Sequence, residues 1–286
     1  YTYPNFRIKF EQPISTNQDI GAMKGLNRMI SPFVLRRLKK DVLKELPEKQ
    51  EYDVYTQMQG KQHKLYVANA LRLKRIIEDS SEEEFKDKRM EILSELMKLR
   101  QICCAPSLCY EDYDGESSKL EMCIDMIKNG ISGGHKILLF SQFTSMLDII
   151  GKRLEKEDIS FYTMTGATNK DKRVKLVEQF NSDDTKVFLI SLKVGGVGLN
   201  LTGADMVIHY DPWWNVAAQN QAADRAHRIG QNKVVSVFKL IAKESIEERI
   251  VVLQKKKEQL ADNILSGETI SLGSLSKKEL LSILEY

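Results

Sequence analysis

The sequence predicts an α/β fold, a parallel sheet with helices on both faces, preceded by a mostly helical subdomain. The chain has 286 residues and a mass of 32.8 kDa, enough for about two domains of ordinary size. Hydrophobic residues make up 42% and charged residues 29%, which is typical of globular proteins rather than disordered ones. In the second part of the chain, nearly continuous apolar runs alternate with helical patterns, as strands and helices do in a parallel sheet covered on both faces.

The first part of the chain has a mainly helical pattern. Residues 1–20 carry little periodicity, and we expect a loose N-terminal segment there. Residues 21–116 are predicted to form the mostly helical subdomain and its linker, with one strand over 50–58, where apolar and polar residues alternate. The clearest helical stripe has spacings of four, three and four residues: Ile92, Leu96, Leu99 and Cys103. A run with Pro, Asp and Gly over 105–116 is the best linker candidate.

The second part, residues 117–265, is predicted to form the α/β lobe. Its five predicted strands are residues 136–141, 160–165, 186–191, 206–210 and 234–241. Helical patterns separate most of these strands, and Ser245 with Glu248 opens a last long helix. Residues 266–286 are predicted to be a C-terminal extension with one short helix, which begins at Ser276.

Charge and composition exclude several classes of protein. The net charge is only +3, so nucleic-acid binding has to rest on a local site. No apolar run approaches the ~20 residues of a membrane span, and no secretory signal is recognisable. Four cysteines without an export signal indicate a reducing compartment, and neither they nor the histidines have metal-ligand spacing. We expect a cytoplasmic protein with no membrane partner and no metal site. Because the chain begins with Tyr1 rather than methionine, we interpret it as part of a longer protein.

A glycine-rich run, residues 194–200, directly follows the predicted strand 186–191. Glycine lets the backbone approach a ligand closely, and ligands of open parallel sheets bind beyond the carboxyl ends of the strands. A tight turn without a ligand explains the glycines alone equally well. The dinucleotide-binding fingerprint fits poorly, because Leu201 stands where its third glycine should be.

Two further patterns follow the next predicted strand. Residues 211–215 contain both tryptophans of the chain side by side; either at least one lies near the rim of the sheet or both cap the core. Gln221, Arg225 and Arg228 are spaced i, i+4 and i+7, so one helix face would carry an amide and two guanidiniums. An ion pair within the helix between Asp224 and Arg228 is the alternative explanation.

The arginines and the glycines together suggest phosphate chemistry. Guanidinium groups suit phosphate oxygens and stay charged at any working pH, and they can stabilise charge on a transferring phosphoryl group. We therefore expect the glycine run and the arginine face to lie beyond neighbouring strand ends and to form half of a phosphate site. The other half is not in the sequence: no G-x-x-x-x-G-K-[ST] loop occurs, and no Asp-Glu pair follows an apolar strand to hold Mg²⁺.

Several segments resemble, in order, the motifs of Swi/Snf-type DNA-dependent ATPases of helicase superfamily two. Residues 221–231, QAADRAHRIGQ, resemble the sixth helicase motif, and residues 211–215 resemble the DPWWN segment. Residues 191–201 and 136–143 are similar to the fifth and fourth motifs. Segments similar to the stretch between the two lobes, and to the helix before the second lobe, are residues 32–42, 46–49 and 99–104. The resemblance covers nearly the whole chain, and bacterial members resemble it most.

The resemblance implies a C-terminal RecA-like lobe with its helical subdomain, from an ATP-driven translocase that acts on double-stranded DNA without separating the strands. By motif position, Arg225 and Arg228 would be catalytic arginine fingers, while Gly196 and Gln221 would line the nucleotide cleft. Trp214 matches a position linked to coupling between DNA and ATP. The positions expected near the DNA backbone are Thr165, Gly166, Ser191 and Lys193.

Two residues depart from the family pattern. Lys193 stands where eukaryotic relatives commonly have arginine, which keeps the charge but loses the bidentate geometry. Val216 replaces the proline that usually follows DPWWN, so that turn is expected to be less rigid.

The implied cofactor is ATP with Mg²⁺, both held mainly by an N-terminal RecA-like lobe of the same polypeptide. The implied partners are double-stranded DNA, that lobe and DNA-bound proteins, with nucleoid association if the source is a bacterium. We expect DNA-stimulated ATP hydrolysis from the full-length protein and none from this chain alone. The alternative is an ATP-independent DNA- or protein-binding module.

Overall fold

A computed structural model describes residues 2–17, 19–33, 46–195, 198–263 and 276–284. The strands in these ranges are β1 (Lys49–Thr56), β2 (Ile137–Ser141), β3 (Phe161–Met164), β4 (Val187–Ser191), β5 (Met206–His209) and β6 (Val235–Ala242). The helices are α1 (Tyr3–Phe6), α2 (Gln12–Asn17), α3 (Ile20–Ile30), α4 (Gly60–Asp79), α5 (Glu82–Asp87), α6 (Arg89–Cys104), α7 (Ser118–Ser132), α8 (Thr144–Lys156), α9 (Lys170–Ser182), α10 (Leu192–Gly195), α11 (Val216–Ala223), α12 (Ile246–Asn263) and α13 (Lys277–Leu284). A π-helical turn, Arg7–Glu11, joins α1 to α2.

The strands form one sheet in which every neighbouring pair is parallel, in the order β1-β6-β5-β2-β4-β3. The central strands β2 and β4 are buried along their whole length, because Val, Ile, Leu and Phe occupy nearly every position and helices cover both faces. Ile137 is directly opposite Val187 on one side and Met206 on the other. The predicted α/β fold with a parallel sheet is confirmed, and each predicted strand is present with small shifts at its ends.

Apolar side chains form one core on each face of the sheet. The first core contains Ile127 of α7, Ile150 of α8 and Leu139 of β2. The second contains Phe180 of α9 and Ala222 of α11, packed on the opposite side of the same strands. Because successive side chains of a strand point to opposite faces, helices on both sides are needed to bury them.

Strand β1 belongs to this sheet, although it lies inside the predicted helical subdomain. It pairs with β6 along its whole length, from Lys49 opposite Val235 to Thr56 opposite Ala242. The alternation of the sequence predicted the strand but not its partner, because alternation describes only which residues share a face.

By its internal contacts the chain divides into two units. The larger unit is Leu46–Val252 with Thr269–Tyr286, and the smaller is Tyr1–Glu45 with Leu253–Glu268. This division differs from the domain boundaries predicted near residues 20, 116 and 265, which stay predictions.

Within the larger unit, α4 packs on α6 and α13 packs on α4. The predicted stripe of α6 is buried at every position, with no exposure of Ile92 and Leu96. The short C-terminal helix is also confirmed: Ser276 Oγ accepts a hydrogen bond from Glu279 N, which caps α13 at its start.

The N-terminal residues differ from the prediction of a loose segment, because α1, the π-helical turn and α2 make residues 3–17 helical. Phe6, Phe10 and Ile14 recur every fourth residue and so lie on one side of this segment. Phe10 and Ile14 are buried with Met23 of α3 in a small separate core. The prediction was wrong because three apolar residues interrupted by charged ones make a weak periodic signal in so short a segment.

No helix in the described part of the chain is both long enough and apolar enough to cross a lipid bilayer.

Candidate functional site

The carboxyl ends of β2 and β5 are joined by a buried carboxylate. Asp211 lies two residues beyond the end of β5 and has no solvent exposure. Its Oδ1 atom accepts hydrogen bonds from Ser141 Oγ at 2.6 Å and from Gln142 N at 3.3 Å. Burial outweighs the attraction of the Arg100 guanidinium and raises the pKa of Asp211.

Arg100 of α6 connects this carboxylate to the chain that follows it. The side chain is 1% exposed, and its Nη2 atom lies 3.7 Å from Asp211 Oδ2. Nη1 donates to Gln142 Oε1 at 2.9 Å, and Nη2 donates to Pro212 O at 2.5 Å. Sequence reasoning missed Arg100 as a site residue, although an arginine next to the apolar stripe of a buried helix is itself a signal, because charged groups are rarely buried without partners.

The two tryptophans have different surroundings. Trp214 is buried and lies against Arg100, whose guanidinium carbon is 5.8 Å from the indole ring. Trp213 is half-buried and packs on the edge of the second core, and its backbone N–H donates to Gln219 Oε1 at 3.0 Å. We call residues 210–215 the tryptophan loop.

The residues expected near DNA lie at the carboxyl ends of β3 and β4. Thr165 is half-buried and Gly166 is exposed, and Arg173 of α9 braces their loop by donating to Gly166 O at 3.3 Å. Ser191 is only 1% exposed, whereas Lys193 in α10 is exposed. The structure therefore presents Gly166 and Lys193 to solvent but not Ser191.

The predicted helix face of Gln221, Arg225 and Arg228 is not formed. Helix α11 ends at Ala223, and residues 224–230, which we call the arginine segment, consist of turns. Gln221 is exposed near the end of α11, and Gly196 lies outside the described residues. The helical spacing predicted a shared face, but periodicity does not show where a helix ends.

The structure does bring the arginine segment to the glycine-rich run. Leu201 N donates to Arg225 O at 3.0 Å, and Arg228 Nη1 donates to Leu199 O at 3.2 Å. Gln231 strengthens this connection, because its buried amide Nε2 donates to the carbonyls of Thr202, Ala204 and Ala226.

We expected the arginines to lie beyond the carboxyl ends of the strands, and this prediction is wrong for the arginine segment. His227 Nε2 lies 2.7 Å from Pro47 O, just before the start of β1. Gln231 contacts the carbonyl of Ala204, just before the start of β5. Both contacts place the segment near the amino ends of the strands. The reason is that a helix connecting two parallel strands returns to the edge where the next strand starts.

Two positive charges lie close together in this segment. Arg225 is 6% exposed and Arg228 is half-buried. Burial and the nearby charge of Arg228 lower the pKa of Arg225, while Asp224 opposes this shift. Two neighbouring guanidiniums in a partly desolvated position fit an anion with several oxygens, because each oxygen acceptor relieves the repulsion between them.

Among the residues that the structure describes, no group of three or more His, Cys, Asp or Glu side chains could hold a metal ion. Cys103, Cys104 and Cys123 are buried in the protein interior, and burial raises the pKa of each thiol. They therefore behave as small apolar residues rather than as nucleophiles.

Comparison with known proteins relates this geometry to a family. A model of the SNF2-related domain matches residues 1–108, and a model of the helicase conserved C-terminal domain matches residues 118–230. The solved C-terminal domain of a SWI2/SNF2 ATPase from Sulfolobus solfataricus is 32% identical, with a TM-score of 0.66, over 82% of this chain and 96% of that one. This chain belongs to the SWI2/SNF2 ATPase family.

Two other matches extend over nearly the whole chain. The Sulfolobus solfataricus SWI2/SNF2 ATPase core solved in complex with double-stranded DNA is 34% identical, with a TM-score of 0.67, and the match covers 98% of this chain and 59% of that one. A putative ATP-dependent helicase/translocase of Bacillus subtilis is 36% identical over 96% of this chain and 30% of its own length. The chain spans between 25% and 30% of the length of three curated relatives that it matches.

Proposed function

We propose that this chain is the second motor lobe of an ATP-dependent translocase that moves on double-stranded DNA and remodels proteins bound there. The observation that carries the proposal is the arginine segment, where Arg225 and Arg228 lie close together and are bonded to the glycine-rich run. Membership of the SWI2/SNF2 family supports it, as does a relative of known structure bound to double-stranded DNA.

In this proposal the guanidiniums of Arg225 and Arg228 approach ATP held by the N-terminal RecA-like lobe of the same polypeptide. No P-loop occurs in the printed sequence, so that lobe would supply most contacts to the nucleotide and its Mg²⁺. The two guanidiniums would neutralise charge that develops on the transferring phosphoryl group. Gln221 is exposed, and it is assigned to the nucleotide cleft, like Gly196, by motif position.

The DNA contacts in this proposal come from the carboxyl ends of β3 and β4. Gly166 and Lys193 are exposed there and suit a phosphate backbone, through a backbone N–H and an ammonium respectively. Thr165 lies beside Gly166 in the same loop. Ser191 is buried, so its contact with DNA would require α10 to move.

The test is ATP hydrolysis by the intact protein with and without duplex DNA. Arg225→Ala should lower the DNA-stimulated rate by about 10³- to 10⁵-fold, the usual effect of removing an arginine finger. Arg153→Ala is the matched control, because Arg153 of α8 forms a partly exposed ion pair with Glu121 and has no place in the proposed site. The control should hydrolyse ATP at the unsubstituted rate.

Near-normal hydrolysis by Arg225→Ala would reject the finger assignment. The 286-residue chain alone should not hydrolyse ATP. If the intact protein binds duplex DNA but never hydrolyses ATP, the chain is instead an ATP-independent binding module.

A further inference from the structure

Arg100 of α6 contacts both loops at the carboxyl ends of β2 and β5. Its two Nη atoms donate in different directions, one to Gln142 after β2 and the other to Pro212 after β5. The same guanidinium lies within reach of Asp211 Oδ2. A guanidinium is suited to this arrangement, because its donors diverge in a fixed plane, whereas an ammonium is a single point.

The indole of Trp214 is buried against Arg100. The indole is 7% exposed, and its Nε1 atom has no hydrogen-bond partner within the part of the chain that the structure describes. The Arg100 guanidinium carbon is 5.8 Å from the Trp214 ring and also 5.8 Å from the Phe143 ring. The Arg100 guanidinium is thus within cation–π distance of the indole and is also bonded to Pro212 O in the same loop.

The tryptophan loop is continuous with the arginine segment through one short helix. Asn215 caps α11 by accepting a hydrogen bond from Ala218 N at 3.0 Å, and Gln219 Oε1 accepts from Trp213 N. Helix α11 then ends at Ala223, two residues before Arg225. A shift of the loop would accordingly be transmitted along α11 to the two guanidiniums.

We propose that Arg100 is a positioning residue, which holds the tryptophan loop and, through α11, sets the place of Arg225 and Arg228. The catalytic half of this inference, the placing of Arg225 and Arg228, rests on the proposed function. The structural half, the holding of the tryptophan loop, is independent of it. Arg100 lies on α6, outside residues 118–230, which match the helicase C-terminal domain. In this proposal it acts on the site through its contacts with the two loops.

The structural half is tested by tryptophan fluorescence of the 286-residue chain. Trp213→Phe leaves Trp214 as the single tryptophan. In that background, Arg100→Lys keeps the charge and loses the divergent donors, so the emission of Trp214 should shift to longer wavelength and become more accessible to iodide. Arg72→Lys is the matched control, because Arg72 also tethers α6, through an ion pair with Glu95, but contacts neither loop. The control should leave the emission unchanged.

The catalytic half is tested in the intact protein. Arg100→Lys should lower kcat for DNA-stimulated hydrolysis by about tenfold, while the KM for ATP and the affinity for duplex DNA stay unchanged, because the displaced guanidiniums act on the transition state. A residue with a purely structural role would weaken the binding of ATP or DNA as well. In a protein that already carries Arg225→Ala and Arg228→Ala, Arg100→Lys should slow hydrolysis no further, because both groups that it positions are then absent.

Gln142→Ala removes one arm of the contact set and keeps the ion pair, so it provides the test if Arg100→Lys fails to fold. It should shift Trp214 in the same direction by a smaller amount. Unchanged emission in both folded variants would overturn the positioning role. If the Trp214 emission shifts in these variants but the intact Arg225→Ala protein still hydrolyses ATP at a near-normal rate, the positioning role stands and the proposed arginine fingers are rejected. The two proposals can therefore fail separately.

Discussion

The tryptophan loop and the arginine segment flank the same helix, α11, yet the protein holds them in different ways. Side chains fix the loop: Asp211 accepts two hydrogen bonds and lies beside Arg100, so negative and positive charges are buried together. Backbone carbonyls fix the segment, through Arg225 O and the acceptors of the Gln231 amide. In the segment the neighbouring charges, Arg225 and Arg228, have the same sign.

This difference indicates what each region is suited for. A buried network of opposite charges has internal partners, and losing one partner is costly because the other stays buried. In the arginine segment, Arg228 donates to Leu199 O, and the nearby charge of Asp224 opposes the effect of Arg228 on the pKa of Arg225. In the proposed function the loop is a connecting element, and the segment is the part that meets the nucleotide.

The largest expected effect on stability is a difference between Asp211 of the tryptophan loop and Asp224 of the arginine segment. Asp211→Ala should lower the free energy of unfolding by about 3 to 5 kcal/mol, because Arg100 would keep a buried charge without its partner. Asp224→Ala, in the half-buried arginine segment, should change it by less than about 1 kcal/mol. Urea denaturation of the 286-residue chain measures both. Equal effects would show that the two regions are held in the same way.

Acid should destabilise the protein through the carboxyl end of β5, where His209 is buried. Burial, helped by the charge of Lys239, lowers the pKa of His209 to about 3. Because the unfolded chain binds this proton near pH 6.5, stability is fully present above that pH and is lost as the pH falls. The loss should reach about 2 to 3 kcal/mol at about pH 4.5.

His209→Phe isolates this contribution, because it removes the titrating group and keeps the stacking on Phe140. The raised pKa of Asp211 has the opposite effect on stability as the pH falls. Asp211 is present in both the unsubstituted protein and His209→Phe, so its effect cancels in the comparison. The attraction of Lys239 and Lys49 overcomes burial and lowers the pKa of Glu51 to about 2. Glu51 therefore titrates in more acidic solution. Identical slopes of stability against pH for the two proteins would refute a buried neutral His209.

The smallest expected effect concerns the anchor of the arginine segment. Gln231→Ala should lower the free energy of unfolding by about 1 to 2 kcal/mol, because three carbonyls lose their donor. Gln179→Ala is the control, since Gln179 is exposed on α9 and should change stability very little. If both variants unfold at the same urea concentration, the amide does not hold the segment.

The sheet could be predicted from the sequence because its strands are long apolar runs whose burial decides their structure. The spacing of apolar residues also predicted where α6 and the C-terminal helix lie in the sequence. It did not reveal that β1 joins β6, since strand pairing is a long-range contact that no local pattern encodes. The helical N-terminal residues were missed because Phe6, Phe10 and Ile14 form only one short stripe.

The predicted site residues stay predictions, and the structure differs from the arrangement that the sequence suggested for them. Spacing suggested that Gln221, Arg225 and Arg228 share a helix face, whereas α11 ends at Ala223. Arg100 was missed altogether, because its partners are 42 and 112 residues away in the sequence. Side-chain networks across a fold depend on topology, and sequence spacing says nothing about them.

The measurement that tests the central claim most directly is single-turnover cleavage of ATP by the intact Arg225→Ala protein in the presence of duplex DNA. If Arg225 acts on the transferring phosphoryl group, ATP should bind with nearly unchanged affinity while cleavage slows by about 10³-fold or more. Cleavage of bound ATP at the unsubstituted rate would contradict the account, because the arginine segment would then have no part in hydrolysis.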